Sequence, residues 1–564
     1  MAFQLSPGVN VSEIDLTTIV PSVGTSEGAF AGRFNWGPVN EIITLGTELE
    51  LVDRFGRPDS NTYLSFFSAA NFLAYGRTLR VVRAANTLSA LNATGGDEEV
   101  LISNRDSYVS EYQDLSANAA VGMFAAKFPG DLGNSLKVSV FADSGNNTTF
   151  DAWAYSEEFN GTPGTSTFAT NVNGLRDEMH VIVIDEDGRI TGRANTVLEK
   201  FGYVSKASNA INDDGSSNYY VDVIAERSKY VYVMNHGANG SNWGTTAAGI
   251  TFVKGDTTYT ESLNGGTEGG APSDANLITA YDRFSNPEEV DVSLIVTGAA
   301  SQTVSEHIVD NIATVRKDCV VFISPEQADA VNNAGSETTD IIDYRNQFNS
   351  SSYAFMDSGW KYQFDKYNNV YRWIPLNGDI AGLCVRTDFE RDPWFSPAGF
   401  NRGQIKNVVK LAWNPTKSQR DDLYKAGINP VVAFPGEGVI LYGDKTMLAK
   451  PSAFDRINVR RLFIVLEKAI AKAARYSLFE FNDEFTRAQF TALIEPYLRD
   501  VQGRRGIFDF RVVCDETNNT PEVIDRNEFI GDIYIKPARS INFIQLNFVA
   551  VRTGVAFDEI VGRF

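Results

Sequence analysis

The sequence has very little cysteine and histidine. Its 564 residues include 3 cysteines, Cys319, Cys384 and Cys514, which are far apart and odd in number. This argues against a disulfide framework and favours a reducing compartment. None of the 3 histidines has a second histidine, cysteine or carboxylate at metal-ligand spacing on an obvious shared face. We therefore expect no metal site and no cofactor.

Long apolar runs are also missing. No stretch of ~18 apolar residues is available to cross a membrane. The opening MAFQLSPGVNVSE has neither the basic region nor the apolar region of a signal peptide. We expect no membrane insertion.

Positive charge is in deficit, with a net charge of −21 at pH 7. The chain thus lacks the basic footprint that binding to nucleic acid requires. Residues 96–290 hold 12 Lys+Arg and 28 Asp+Glu, a net charge of −16, whereas residues 451–564 hold 16 of each. The acidic block is typical of a solvated, outward face, and the neutral C-terminal part of a covered one.

Motifs for catalysis are absent as well. PGEGVILYGDKT (435–446) lacks the spacing of a phosphate-binding loop, and no G-x-S-x-G occurs. The Asp-rich turns at 185–188 and 213–215 lack the length and the closing Glu of a calcium loop. A hydrolytic or carbohydrate-active enzyme would need a clustered acid pair, for which Asp365 and Asp379 are the candidates. We expect no enzyme.

The order of apolar segments predicts a multidomain protein of the α+β / α/β class. Strand and helix patterns alternate in residues 21–95, and two apolar strands flank a helix at 290–323, which is typical of a βαβ unit. Short strands and frequent Gly, Asn, Ser and Thr predict a β-rich insertion over 96–284. We predict an α/β core domain of residues 21–95 and 285–450, and a C-terminal α+β domain of residues 451–564.

The segment from residue 514 to residue 532 concentrates acidic side chains. Its carboxylates are those of Asp515, Glu516, Glu522, Asp525, Glu528 and Asp532. Asp, Asn, Thr and Pro are the residues that form turns through bonds to their own backbone. Arg526 and Lys536 lie among the acids, and no histidine joins them. We interpret the segment as a turn, with a cation site or a catalytic cluster as the alternatives.

Both ends of the chain are apolar and extended. Residues 1–20 are too few to bury a core, so they either fray or add to a sheet elsewhere. The cost of exposing their β-branched residues favours docking. Near the other end, SINFIQLNFVAV predicts a strand that pairs with another chain segment. The candidate interface residues are Val9, Val11, Ile14, Leu16, Ile544, Leu546, Phe548 and Ala550. Two apolar ends, with no catalytic or metal-binding motif in the sequence between them, indicate an assembly subunit.

Several long segments carry a family resemblance. They are LSPGVNVSEID, GAFAGRFNWGPVNE, KYQFDKYNNVYRWIPLNGDIAGLCVRTD, PWFSPAGFNRGQI, FDRINVRRLF and CDETNNTPEVIDRNEF. In this order they resemble the tail sheath proteins of contractile-tailed bacteriophages. The similarity extends over most of residues 1–95 and 285–564.

The resemblance implies a structural subunit that polymerises with its own copies, in sixfold rings, around a tail tube. Contraction of this helical polymer would drive the tube through the host envelope. The implied partners are the tail tube protein, the baseplate and the terminator proteins. The implied location is the virion, after assembly in the host cytoplasm. The alternative is the sheath of a phage-derived injection or secretion system.

The resemblance also assigns roles to segments. In such sheaths the terminal arms join the C-terminal sheets of neighbouring subunits. Carried over, residues 1–20 and about 541–552 would be the exchanged strands, and residues 514–532 the turn that aims the last strands. The longest family members carry an extra outer domain where this chain has only residues 96–126. We therefore expect one protruding domain, at about 127–284.

Two adjacent cations, Arg460 and Arg461, stand near the start of a predicted helix, where the helix dipole disfavours positive charge. They either pair with Asp455 or another carboxylate of the same subunit, or contact the tube or a neighbouring subunit. We take them as candidate tube-facing residues.

Overall fold

The computed structural model describes residues 24–115, 118–237, 240–254, 258–542 and 544–545. The chain divides into two compact units, one ending at Glu480 and the other beginning at Phe481. Each unit is considered by itself.

The strands are numbered in chain order. They are β1 (Gly28–Gly32), β2 (Ile42–Leu45), β3 (Leu79–Arg83), β4 (Phe124–Ala126), β5 (Leu136–Phe141), β6 (Glu178–Asp185), β7 (Thr196–Ser205), β8 (Val231–Val233), β9 (Tyr259–Ser262), β10 (Leu294–Val296), β11 (Val320–Ile323), β12 (Ala354–Asp357), β13 (Trp360–Asp365), β14 (Val370–Pro375), β15 (Lys410–Leu411), β16 (Ile428–Asn429), β17 (Val431–Phe434), β18 (Gly438–Leu441), β19 (Ile507–Val513) and β20 (Asp532–Pro537).

The α-helices follow the same order. They are α1 (Glu48–Phe55), α2 (Tyr63–Leu73), α3 (Arg105–Glu111), α4 (Asn147–Asp151), α5 (Thr167–Asn171), α6 (Tyr220–Arg227), α7 (Asp274–Tyr281), α8 (Gln302–His307), α9 (Thr314–Arg316), α10 (Gln327–Ala330), α11 (Glu337–Asn346), α12 (Asn377–Glu390), α13 (Lys417–Lys425), α14 (Ile457–Ala474), α15 (Glu484–Gly503) and α16 (Pro521–Asp525). A π-helical turn, Ile308–Ala313, joins α8 to α9. Among the described residues no helix is both long and apolar enough to cross a membrane.

The first unit is organised by a seven-stranded sheet in the order β16-β12-β11-β10-β1-β3-β2. The strands are parallel except β2, which pairs with β3 in the antiparallel direction at one edge. The chain leaves this sheet after β3 and returns at β10, where Gly28 pairs with Leu294. With the further sheets described below, this confirms a mixed α/β class with several sheets.

Both faces of this sheet are covered, so its strands consist of nearly continuous apolar residues. Alternate residues point to opposite faces. Phe30 and Leu294 pack on one face, with α2 and α12, in the cluster that includes Phe72. Ile295 and Val321 pack on the other face, in the cluster with α7 and the α8–α9 helices.

The segment between β3 and β10 is β-rich. It contains a four-stranded antiparallel sheet, β7-β6-β5-β9, and the pair β4-β8. The buried guanidinium of Arg83, at the end of β3, donates to the carbonyls of Phe34, Gly37 and Pro129 at 2.9, 2.8 and 2.7 Å. Because Pro129 belongs to the β-rich segment, Arg83 ties that segment to the end of a central strand.

Two smaller sheets complete the first unit. They are the three-stranded antiparallel sheet β14-β13-β15 and the hairpin β17-β18. In the second unit, α15 packs against β19, which pairs antiparallel with β20.

A buried carboxyl stands at the end of a central strand. Asp357 is 1% exposed and accepts from the Ser324 hydroxyl at 2.6 Å and the Gly359 N–H at 2.9 Å. Burial, reinforced by the like charge of Asp379, raises the pKa of Asp357 to about 8. The carboxyl is therefore protonated in the folded chain at pH values where an unfolded aspartate is ionised.

The raised pKa of Asp357 predicts a loss of stability as pH rises. Between about pH 4 and 8 the folded state holds a proton that the unfolded state releases, so the free energy of unfolding falls across this window. Asp357→Asn should flatten that part of the profile, measured as the urea midpoint against pH. The exposed Asp421→Asn serves as the control. Parallel profiles for wild type and Asp357→Asn would contradict the assignment.

Candidate assembly interface

The first described residues show where the N-terminal segment joins the core. The Thr25 hydroxyl donates to Asp388 Oδ2 at 2.8 Å, and the Ser293 hydroxyl donates to the Gly24 carbonyl at 3.1 Å. Asp388 lies on α12, and Ser293 immediately precedes β10. The origin of the N-terminal segment is therefore fixed by two elements of the core.

The same carboxylate holds Arg461, which lies on α14. Arg461 Nη2 is 2.6 Å from Asp388 Oδ2, with 4% and 6% of the two side chains exposed. Arg461 also lies 3.4 Å from the carbonyls of Cys384 and Thr25. Thr25, Asp388 and Arg461 form a buried cluster, which we call the arm-root cluster.

The neighbouring Arg460 is also occupied within the subunit. It is 4% exposed, and its guanidinium lies 4.5 Å from the ring centres of Tyr353 and Phe454. Its Nη2 is 3.5 Å from Glu467 Oε1. Both predicted tube-facing arginines thus have their partners inside the subunit, and the partners are Asp388 and Glu467 rather than Asp455. Contact with a tube stays a prediction for them.

The acidic segment of the second unit is built around Asn519. This side chain is 2% exposed, donates to the Ile530 carbonyl at 2.8 Å and accepts from the Ile530 N–H at 2.9 Å. Asp515 accepts from the Thr517 N–H at 2.8 Å. Asn518 donates to the Val513 carbonyl at 2.8 Å. The polar residues are used in turn hydrogen bonds that return the chain from β19 to β20.

No group of three or more His, Cys, Asp or Glu within the described ranges is placed to hold a metal ion. Two of the acids have other functions in the turn. Asp532 accepts from Asn518 at 3.1 Å, and Glu528 pairs with Arg526 at 2.8 Å.

The sheet that this turn connects is small and open. In the described part of the second unit it contains β19 and β20 alone, so each strand has one edge without a partner. Phe508 and Tyr534 on these strands are 70% and 61% exposed. Ile541 and Ile544, beyond β20, are 82% and 78% exposed. A two-stranded sheet is only marginally stable by itself, and open edges with exposed apolar residues accept further strands.

Most of the predicted interface residues lie outside the described residues. They are Val9, Val11, Ile14, Leu16, Leu546, Phe548 and Ala550. Sequence reasoning missed Asp388 and Asn519. Nothing local marks Asp388 as the partner of Arg461, 73 residues away. The composition of residues 514–532 indicates a turn but does not single out Asn519.

Comparison with known proteins identifies the family. The family described as phage tail sheath protein central domain matches residues 270–447, and the phage tail sheath C-terminal domain matches residues 449–550. The tail sheath protein Gp18 domain III N-terminal region matches residues 29–84. The tail sheath protein of Vibrio phage KVP40 is 37% identical over 99% of this chain and 100% of its own length. The chain belongs to the phage tail sheath proteins.

Other relatives agree. The tail sheath protein of Enterobacteria phage T4 is 35% identical over 99% of each chain. Each alignment runs over 670 positions, 106 more than the 564 residues of this chain, so the relatives carry insertions. The fold is shared with the sheath of an extracellular contractile injection system, at a TM-score of 0.51, 13% identity and coverage of 97% and 98% of the two chains. This chain is therefore a structural subunit of a contractile tail sheath.

The arm-root cluster predicts a large effect of Arg461→Met. The change leaves Asp388 buried without its cation, which costs about 3–5 kcal/mol of unfolding free energy. Asp388→Asn combined with Arg461→Met should recover most of the loss, because no unpaired charge remains. Urea unfolding followed by circular dichroism measures both. Lys425→Met, at an exposed pair with Asp422, is the matched control and should change little. Equal effects of Arg461→Met and the control would contradict a buried pair.

The Asn519 turn predicts that Asn519→Ala loosens the second unit. The change removes the side-chain partners of the half-buried N–H and carbonyl of Ile530, at a cost of up to about 1–3 kcal/mol. Hydrogen exchange at the Ile530 amide should accelerate, whereas Glu516→Ala, at an exposed acid of the same turn, should leave it unchanged. Slow exchange in Asn519→Ala would show that other contacts hold the turn.

Proposed function

We propose that this chain polymerises with its own copies into stacked sixfold rings around a tail tube, and that terminal arms join the rings. The supporting observation is the unfinished β19–β20 sheet, which ends after two strands in the described residues. Strand addition supplies main-chain hydrogen bonds for affinity, and alternate side chains fix the register. Residues 1–20 and about 541–552 are the proposed added strands, contributed by neighbouring subunits.

The interface side chains follow from that arrangement. Val9, Val11, Ile14 and Leu16 of one arm, and Ile544, Leu546, Phe548 and Ala550 of the other, would cover the apolar surface of the recipient sheet. The exposed rings of Phe508 and Tyr534 provide such a surface. Burying them on a neighbour recovers the free energy that their exposure costs in a single subunit.

The arm-root cluster gives the N-terminal arm a firm origin. Force on the arm reaches Gly24 and Thr25, and through them Ser293 before β10, Asp388 on α12 and Arg461 on α14. Both helices contribute to the core cluster that covers one face of the central sheet. The arm would therefore pull on the core as a whole.

Contraction would then be a rearrangement of nearly rigid domains that stay tethered by their arms. The extended and contracted polymers differ in free energy per subunit, and the difference adds up over many cooperative copies. The proposed domains are the core of residues 21–95 and 285–450, the outward insertion of residues 96–284 and the tube-proximal part of residues 451–564. The tail tube protein, the baseplate and the terminator proteins are the proposed partners, and assembly takes place in the host cytoplasm before the sheath enters the virion.

The arm exchange predicts that polymerisation depends on residues 1–20. Negative-stain electron microscopy of the full-length chain, with tail tubes added as template, should show regular tubes. The same chain without residues 1–20 should remain as single particles. Val9→Ser with Val11→Ser should behave like the truncation, since both changes remove apolar cover.

Asn10→Ala with Ser12→Ala is the matched control for this pair. It alters the polar neighbours of Val9 and Val11, removes no apolar side chain and should preserve the tubes. Tubes that form without residues 1–20 would rule out this arm as the connecting strand.

A further inference from the structure

From Lys361 onward strand β13 buries its polar residues and turns its aromatic ones outward, whereas Trp360 at its start is buried. Lys361, Gln363 and Asp365 alternate along it and are 0%, 7% and 1% exposed. Lys361 pairs with buried Asp379 at 2.8 Å, and Asp365 pairs with Arg372 at 2.9 Å. The charged residues of this strand therefore face inward, each with its partner.

The outward residues are aromatic. Tyr362 pairs across the strands with Trp373 of β14, and Phe364 with Tyr371. Their ring centres are 4.6 and 5.1 Å apart, and Tyr362 stacks on Tyr371 at 5.5 Å. Phe364 and Tyr371 are 42% and 51% exposed. These four rings form a continuous surface, which we call the aromatic ladder.

This reversal is unfavourable for an isolated subunit. Buried ion pairs rarely repay the loss of hydration of their charges, and outward rings gain nothing from water. Replacing a buried ion pair by apolar residues of similar volume is often neutral or stabilising. Contiguous exposed rings mark interaction surfaces, and tyrosine and tryptophan are prominent among the residues that dominate binding energy. The ladder therefore has the properties of a contact surface.

The charge of the ladder indicates its occupant. Lys410 of β15 lies 5.1 and 5.4 Å from the ring centres of Tyr362 and Trp373 and has no carboxylate partner among the described residues. The one carboxylate of the three strands, Asp365, faces inward. An exposed apolar face with an unpaired cation fits an acidic surface. The chain itself carries −16 of its −21 charge in residues 96–290.

We propose that the aromatic ladder docks on the acidic segment, residues 96–290, of a neighbouring copy of this chain. The proposal rests on the proposed assembly and adds a second, side-chain contact to the exchanged strands. Electrostatic attraction would orient the copies, and the rings would supply the buried area. The contact should weaken as salt screens the charges.

Cross-linking from the ladder identifies the occupant. Val370→Cys places a thiol beside Tyr371, at a position that is 41% exposed. The native cysteines Cys319, Cys384 and Cys514 are buried, so the new thiol reacts selectively with a benzophenone maleimide. Tubes are formed from a mixture of ¹⁵N-labelled and unlabelled chains and irradiated. We expect mixed-isotope cross-links to peptides of residues 96–290, and none in unassembled chains.

The outcomes separate this proposal from the assembly itself. Tubes in which the thiol at position 370 stays as reactive as in free subunits, or cross-links to the tail tube protein, would overturn the ladder contact alone. Failure of the unmodified chain to form tubes on added tail tubes would overturn the proposed assembly and the ladder contact with it.

A matched pair of variants tests the rings directly. Phe364→Ser with Tyr371→Ser should raise the protein concentration needed for tubes at least about tenfold, as expected when central aromatic contacts are lost. Phe364→Tyr with Tyr371→Phe preserves the rings and should assemble as wild type. Circular dichroism confirms folding of both. Unchanged assembly of the serine variant would overturn the proposal.

Discussion

The parallel pairing of β1 with β10 is the contact on which the rest of the first unit depends. It joins Gly28 to Leu294 across 266 residues, the difference of the two numbers. Closing a loop of that length costs about 5 kcal/mol by the logarithmic rule. Burial of both sheet faces offsets the cost, because α2 and α12 cover one face and α7 to α9 the other. A large β-rich segment can therefore be inserted at this point without disrupting the sheet.

The β-rich segment is joined to the central sheet by side-chain contacts as well as by its two chain connections. Arg83 donates to three backbone carbonyls that belong to both sides of the junction. A buried guanidinium is stable there because each bond to a carbonyl replaces one to water. The junction is thus held by the hydrogen bonds of Arg83 as well as by the two chain connections.

The sequence predicted the elements better than the contacts between them. The βαβ unit at 290–323 corresponds to β10, the α8–α9 helices and β11, and the predicted helix that carries Arg460 and Arg461 corresponds to α14. These patterns are local, since apolar periodicity and capping residues lie within one segment. Composition and motif spacing predicted only an assembly subunit. The family resemblance predicted the specific function.

The features that the sequence did not predict depend on contacts between residues far apart in the chain. The dipole of α14 disfavours the positive charge of Arg461, but Asp388 of another helix stabilises it. The sequence does not show that these two side chains are close in space. In β13, a period of two shows that Lys361, Gln363 and Asp365 share a face, but not that this face is the inner one. Because charged residues are mostly exposed in proteins, this face would be expected to point outward. The inward orientation of this face follows from the ion pair with Asp379, since Lys361 must point inward to contact that buried carboxylate.

A sheath that contracts needs contacts of two kinds. Exchanged strands are joined by many main-chain hydrogen bonds in one register, and a slip of one residue reverses every side chain. Such a contact is suited to persist through the transition. The aromatic ladder with its single cation needs no fixed register, since ring stacking and charge attraction tolerate sliding and renewed docking. If both proposals hold, the terminal arms keep the copies connected, while the aromatic ladder adds a side-chain contact that can be released and formed again.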